Sequence, residues 1–253
     1  MLKILVTFAV EPEFAPWRRL RSFVRVAGLQ FAAYEAETEG WQLRAVLTGM
    51  GSGHACRVVS SALDWRPDVC ISSGLAGSLR ATLPRGAVFA AREVMELESG
   101  RTISSGTEFV AKAESLRARV AHRLLTSSDL IATLEGKNRL GRMADAVDME
   151  SFTVLAEASE RGIPAIAIRS ISDAADESIP LDFGKLLDAQ GQVAGAKLAL
   201  ALARAPHKLP GFIRLGRNSR RASVALAAFL DSYVQDLARH QNHPVVHAEA
   251  VRA

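Results

Sequence analysis

Three carboxylates carry most of the chemistry available to this chain: Glu13 in "FAVEPEF", Glu150 in "AVDMES" and Asp173 in "RSISDAAD". Two carboxylates flanking a scissile bond suit cleavage of an acetal-like linkage through an oxocarbenium-like transition state. One protonates the leaving group while the other activates the nucleophile. Burial and neighbouring charge separate carboxyl pKa values, so Glu and Asp can take either task. A third carboxylate can hold sugar hydroxyls by charge-assisted hydrogen bonds. The residue types point to glycosidic cleavage of a small polar ligand, and leave open whether the leaving group is a sugar or a base. Each acid also has a plain structural reading. Asp173 can N-cap the following "AADES", Glu150 can serve the dipole of a first helical turn, and Glu13 can be an exposed acid on a helix with Arg18 and Arg19.

The elements that must position these acids are legible as short apolar runs. Lys3–Ala9, Leu43–Thr48, Val69–Ser73, Val88–Val94 and Pro164–Ile171 read as strands. Helical patterns lie between several of them. "SGHACRVVSSALD" places Ala55, Val58, Val59 and Ala62 on one face. "ESFTVLAEASERG" does the same with Phe152, Leu155 and Ala156, and Gly162 followed by Pro164 ends it. Near-continuous apolar strands alternating with helices imply a mostly parallel sheet covered on both faces. Ligands of such sheets bind beyond the carboxyl ends of the strands. Glu11 and Glu13 follow the first run, the glycines of "TGMGSGHA" the second, "SSGLAGSL" the third, and Asp173 the last, so acids and glycine turns share one expected edge. Neither glycine stretch is a phosphate-binding P-loop.

Composition narrows the class further. Hydrophobic residues make up 49% and charged residues 23%, which fits a globular core and not a disordered chain. Cys56 and Cys70 fall on separate elements and make neither a disulfide framework nor a metal motif, so a reducing cytoplasm is expected. The first apolar run is too short, and too soon interrupted by Glu11, for a signal peptide. No window approaches the ~20 apolar residues of a membrane span. The net charge of +4 is concentrated in "RAPHKLPGFIRLGRNSRR", residues 204–221, with six Lys/Arg and no acid. A catalytic unit over 1–203 and a basic helical appendage and tail over 204–253 are expected. The basic stretch suits either a solvated helix or an anionic surface. It lacks interleaved stacking aromatics beyond Phe212 and Phe229, so nucleic acid is not expected.

Read together, these motifs resemble the nucleoside phosphorylase and nucleosidase superfamily. "AVDMES" followed by "GIPAIAIRSISDAAD" resembles the signature of its methylthioadenosine/S-adenosylhomocysteine nucleosidase branch. "SSGLAGSL", "FAVEPEF" and "TGMGSGHA" resemble its glycine turns and first acidic loop, so the likeness runs from about Lys3 to Leu200. The resemblance implies an α/β fold, a three-layer αβα sandwich on a central mixed, mostly parallel sheet, assembled as a homodimer or larger oligomer. It implies no metal and no organic cofactor. Asp173, with Ser172, would attend purine N7, and Glu13 would activate the attacking water. Glu150 would bind the ribose hydroxyls, with Met149 packed on the sugar. Ala76 and Gly77 of the glycine turn, Phe183 as the aromatic beside the ribose, and Leu130 and Ile131 beside the base complete the implied substrate-binding set.

Water and phosphate are rival nucleophiles in this superfamily. Ser72 rather than an arginine precedes "SGLAGS", and Glu13 would repel a phosphate dianion, which favours hydrolysis. Arg18, Arg19 or an arginine of a neighbouring subunit leaves phosphorolysis open. "GLAGSL", "AVDMES" and "LPGFIRLGRNSRRA" also resemble hopanoid-associated phosphorylase-like proteins, which release adenine from a lipid-linked nucleoside. For such a substrate the basic C-terminal helix would make a peripheral membrane contact. A nucleoside-binding protein without turnover is the non-enzymatic alternative.

Overall fold

The first strand reads Leu-Lys-Ile-Leu-Val-Thr-Phe. Successive side chains of a strand leave opposite faces, so a run apolar at nearly every position must be covered twice. The computed structural model, which describes residues 1–38, 40–179 and 209–241, shows that arrangement. The strands are β1 (Leu2–Phe8), β2 (Val24–Arg25), β3 (Ala33–Glu37), β4 (Trp41–Leu47), β5 (Val69–Ser78), β6 (Val88–Glu96), β7 (Thr102–Ser104), β8 (Arg119–Thr126), β9 (Ala146–Asp148) and β10 (Ala165–Asp173). The helices are α1 (Glu11–Leu20), α2 (Ser52–Leu63), α3 (Thr107–Ser115), α4 (Leu134–Leu140), α5 (Ser151–Glu160) and α6 (Leu209–Gln241).

The sheet is mixed, and its longest ladders, β1 with β4, β5 with β10 and β6 with β8, are parallel. Ile4, Val6 and Phe8 of β1, with Ile71, Ile166 and Ile168, face Phe14 and Trp17 of α1, Val110 of α3 and Leu226, Leu230 and Tyr233 of α6. Leu5, Cys70, Phe89 and Ala167 face the other way, onto Val59 and Ala62 of α2 and Phe152 and Leu155 of α5. This is the expected αβα sandwich. The five expected strands are present as β1, β4, β5, β6 and β10.

One local reading needs correction. "SGLAGS" is not a turn: it continues β5 through Ser78, because β10 pairs with β5 from Cys70 to Gly77 and holds the glycines extended. On the other edge of β5, β1 pairs only as far as Ser72, and β9 joins only at Gly77 and Ser78. Between them a stretch of β5 has no strand neighbour. Beyond that gap, β5, β10, β6, β8 and β9 pair in a closed ring. The split between β1 and β9 is a crevice at the carboxyl ends of the strands, where open α/β sheets bind ligands.

The basic C-terminal stretch enters the same architecture. Arg214, Arg217, Arg220 and Arg221, at the start of α6, are exposed, whereas Ala222, Leu226, Leu230, Tyr233, Val234 and Leu237 are buried against the sheet. Burying each large apolar side chain contributes about 1.5–3 kcal/mol. The Trp17 indole N–H donates to Asp231 (3.2 Å), Arg21 pairs with the same carboxylate, and the Tyr233 hydroxyl donates to the Phe109 carbonyl (3.0 Å). Among the described residues, no helix is long and apolar enough to cross a membrane.

Candidate active site

A cavity of about 880 Å³ opens at the crevice, lined by the ends of β5, β9 and β10, the start of α1, the loop after β8 and one face of α6. Each sequence-identified acid reaches it by a different device.

Glu13 sits in the first turn of α1. Its Oε2 accepts from the Ala9 and Val10 N–H groups (3.0 and 3.4 Å), which caps its own helix. Its Oε1 accepts from the Leu75 N–H (3.1 Å), a donor that the gap along β5 leaves without a strand partner. The acid is therefore not a free surface group. Burial pushes its carboxyl upward, against the opposing pull of Arg169 and of these N–H donors.

Glu150 occupies the N-cap position of α5, yet its side chain does not cap that helix. Oε1 accepts from the Gly51 N–H (2.8 Å) across the cavity floor. Gly51, with φ +90, lies in the left-handed region that favours glycine. Burial, and then the Asp148 carboxylate, push the Glu150 carboxyl up to about 8, with Arg169 opposing.

Asp173 is the last residue of β10, not a helix cap. The β5–β10 register shifts between Ile171 and Asp173, and such a bulge re-aims the side chain beside it. The carboxylate lies over Gly77, where a Cβ would come within 3.0 Å of Oδ2. The Ser172 hydroxyl donates to Oδ1 (2.6 Å), and the Lys137 ammonium donates to Oδ2.

Met149, Ala76, Gly77, Ser172, Leu130 and Ile131 all line the same cavity. Phe183 lies outside the described residues. Two buried cations, Arg169 and Lys137, escaped the sequence reading, which held Asp148 only as part of "AVDMES". Arg169, in mid-strand of β10, pairs with Asp148 (2.7 Å) and donates to Ser72 (3.0 Å) and Ser151 (2.9 Å). The Thr126 hydroxyl donates to the same Asp148 carboxylate (2.8 Å). Arg169 carried a signal, since a charge inside "AIAIRSIS" must be paired when that strand is buried. Lys137 of α4, fully buried, carried none.

The arrangement brings two acids to one strand from opposite sides, Glu13 at Leu75 and Asp173 over Gly77. Those anchor points are two residues apart, about 7 Å along an extended chain.

Residues 132–205 match the family model described as the phosphorylase superfamily. Several solved structures share the whole fold. A methylthioadenosine/S-adenosylhomocysteine nucleosidase from Helicobacter pylori, in complex with butyl-thio-DADMe-Immucillin-A, superposes with a TM-score of 0.74 at 19% identity, covering 93% of this chain and 99% of that one. The corresponding nucleosidase from Neisseria meningitidis, with methylthio-immucillin-A, gives 0.72 at 19% identity, covering 93% and 100%. A mutant futalosine hydrolase from Helicobacter pylori gives 0.73 at 18% identity, again covering 93% and 100%. The chain thus has the nucleoside phosphorylase and nucleosidase fold, and over residues 132–205 it carries the sequence pattern of the phosphorylase superfamily.

Proposed function

We propose that this protein cleaves the N-ribosidic bond of a purine nucleoside, an adenine nucleoside foremost, by hydrolysis. The observation that carries the reading is the placement of Glu13 and Asp173 on either side of one segment of β5, with Glu150 reaching in from α5. Asp173 hydrogen-bonds the departing base while the sugar develops oxocarbenium character. Glu150 holds the ribose hydroxyls, with Met149 against the ring. Glu13, its carboxyl raised by burial, takes the proton of the attacking water.

Water is favoured over phosphate by charge. The ionisable residues among the described lining are all acids, Glu13, Asp129, Asp148, Glu150 and Asp173, so that lining offers a phosphate dianion no cation. The guanidinium of Arg169 is already engaged by Asp148, Ser72 and Ser151. The cavity also runs to Leu215 and Ser219 of α6, and we assign this far end to a 5′ substituent. The exposed arginines at the start of α6 stand near that end. Co-sedimentation with anionic vesicles, abolished by Arg217→Glu with Arg220→Glu, is expected if the substituent is a lipid.

The test is adenine release from adenosine and methylthioadenosine, followed by chromatography with and without phosphate, with Asp173→Asn as control. Release without phosphate that is lost in the variant supports hydrolysis. Strict dependence on phosphate, with a sugar 1-phosphate as product, overturns the assignment of Glu13. Silence with every nucleoside overturns the enzymatic reading.

A further inference from the structure

The geometry points to Lys137 as the source of the proton that reaches the departing base, acting through Asp173. This rests on the reading of the site as a nucleosidase. Lys137 belongs to the short helix α4, is fully buried, and donates from Nζ to Asp173 Oδ2 (2.5 Å) and to the Ala174 carbonyl (2.7 Å).

Two features argue that this pair is more than a fold contact. Burying an ammonium costs several kcal/mol unless it is well paired, and Asp173 is already held by Ser172 and by its place at the end of β10. A second tether of this cost needs another reason. The second feature is the direction of the hydrogen bonds. The Ser172 hydroxyl lies 2.6 Å from Oδ1 and 3.3 Å from the Ala76 carbonyl and has one proton for both, whereas the Lys137 ammonium can only donate, and it does so to Oδ2. A purine leaving as an anion is a poor leaving group. A proton for the base can then be relayed through Asp173 from Lys137, the cation held against that carboxyl among the described residues.

The step balances. The C1′–N9 bond breaks with its electron pair going to the base. Asp173 passes a proton to N7 and takes one from Lys137 Nζ, which remains as a neutral amine donating to Ala174. Water forms the new C1′–O bond and gives a proton to Glu13. That proton returns to Lys137 through solvent, and one water is consumed for each base and free sugar released. Lysine suits the task where arginine would not, because a guanidinium holds its protons throughout the accessible pH range.

The test is leaving-group dependence. Wild type, Lys137→Met and Lys137→Arg are compared on adenosine, 2-fluoroadenosine and p-nitrophenyl β-D-ribofuranoside, whose leaving groups need a proton progressively less. Thermal melts of all three proteins accompany the kinetics. Both variants are expected to lose at least about 100-fold in kcat on adenosine, less on 2-fluoroadenosine, and least on the aryl riboside. Lys137→Arg keeps the charge beside Asp173 and so separates proton supply from folding. A loss equal on all three substrates would mean a purely structural lysine and would overturn the inference. So would full activity of Lys137→Arg on adenosine. A wild type silent on all three would remove the nucleosidase reading and this inference with it.

Discussion

Arg169 and Asp148 form an ion pair 2.7 Å apart in which both side chains are only 1% exposed. Asp148 is two residues from Glu150, and Arg169 passes beneath Gly74, beside the carboxyl of Glu13. One buried pair therefore sets the field felt by two site acids. Asp148 pushes Glu150 up, and Arg169 draws both glutamates down. Asp148→Asn leaves the guanidinium buried without its counter-charge, and a loss of about 3–5 kcal/mol is expected in urea unfolding. A loss below ~1 kcal/mol would show that Ser72 and Ser151 suffice.

Gly74 has φ +140, and a Cβ there would lie 2.4 Å from Arg169 Nη1 and 3.0 Å from Glu13 Oε2. Gly74→Ala is expected to cost roughly 1–3 kcal/mol from backbone strain alone, and to cut turnover by displacing Glu13. Thermal melting and single-turnover kinetics read the two effects separately. A variant with both parameters unchanged would contradict the close approach.

Glu13 must be ionised to accept a proton from water. Its raised carboxyl means that activity falls as pH drops through a range above that of an ordinary carboxylate. In Glu13→Gln, kcat is expected to drop about 10²–10⁴-fold and the residual rate to lose that acid limb. Persistence of the limb in the variant would assign it to another group.

Glu150 gives a stability signature of opposite use. Its folded pKa of about 8 lies above the ordinary 4.5, so over that interval the unfolded chain releases a proton that the folded chain keeps. Wild-type stability therefore falls as pH rises between those values and levels off above them. Glu150→Gln removes this pH dependence. Its melting temperature relative to wild type is expected to rise by at least a few degrees between about pH 5 and pH 8, while nucleoside binding weakens. A difference independent of pH would rule out the upward shift.

Leu230 of α6 is fully buried against the sheet. Leu230→Ala is expected to cost about 2–5 kcal/mol, measurable by denaturant unfolding. An effect near zero would mean that α6 docks only loosely.

The strands readable in the sequence each hold an unbroken apolar run of three residues or more, such as Ala45–Leu47 of β4 and Val88–Ala91 of β6, although both strands also carry charges. β8, "RVAHRLLT", escaped because His122 and Arg123 interrupt it; Arg123 is satisfied sideways by Glu93. β9 has three residues and no periodicity to read. The glycines of "SGLAGS" look like a turn in isolation, and only the β10 ladder makes them a strand. Glu13 and Asp173 stood out because they lie at the ends of readable strands, and Glu150 through the pattern "AVDMES" alone. Asp148 and Lys137 did not, because their meaning depends on partners in distant segments, Arg169 for one and Asp173 for the other. Sequence spacing carries no trace of such pairings.

The bond from Trp17 to Asp231 joins residues 214 positions apart. On a ribosome adding ~5–20 residues per second, roughly 10–40 s separate the emergence of α1 from that of the helix that covers it. During that interval the α1 side of β1 has no α6 to shield it. The nascent chain thus carries a sticky surface until the helix carrying Asp231, 214 residues downstream of Trp17, arrives to shelter it.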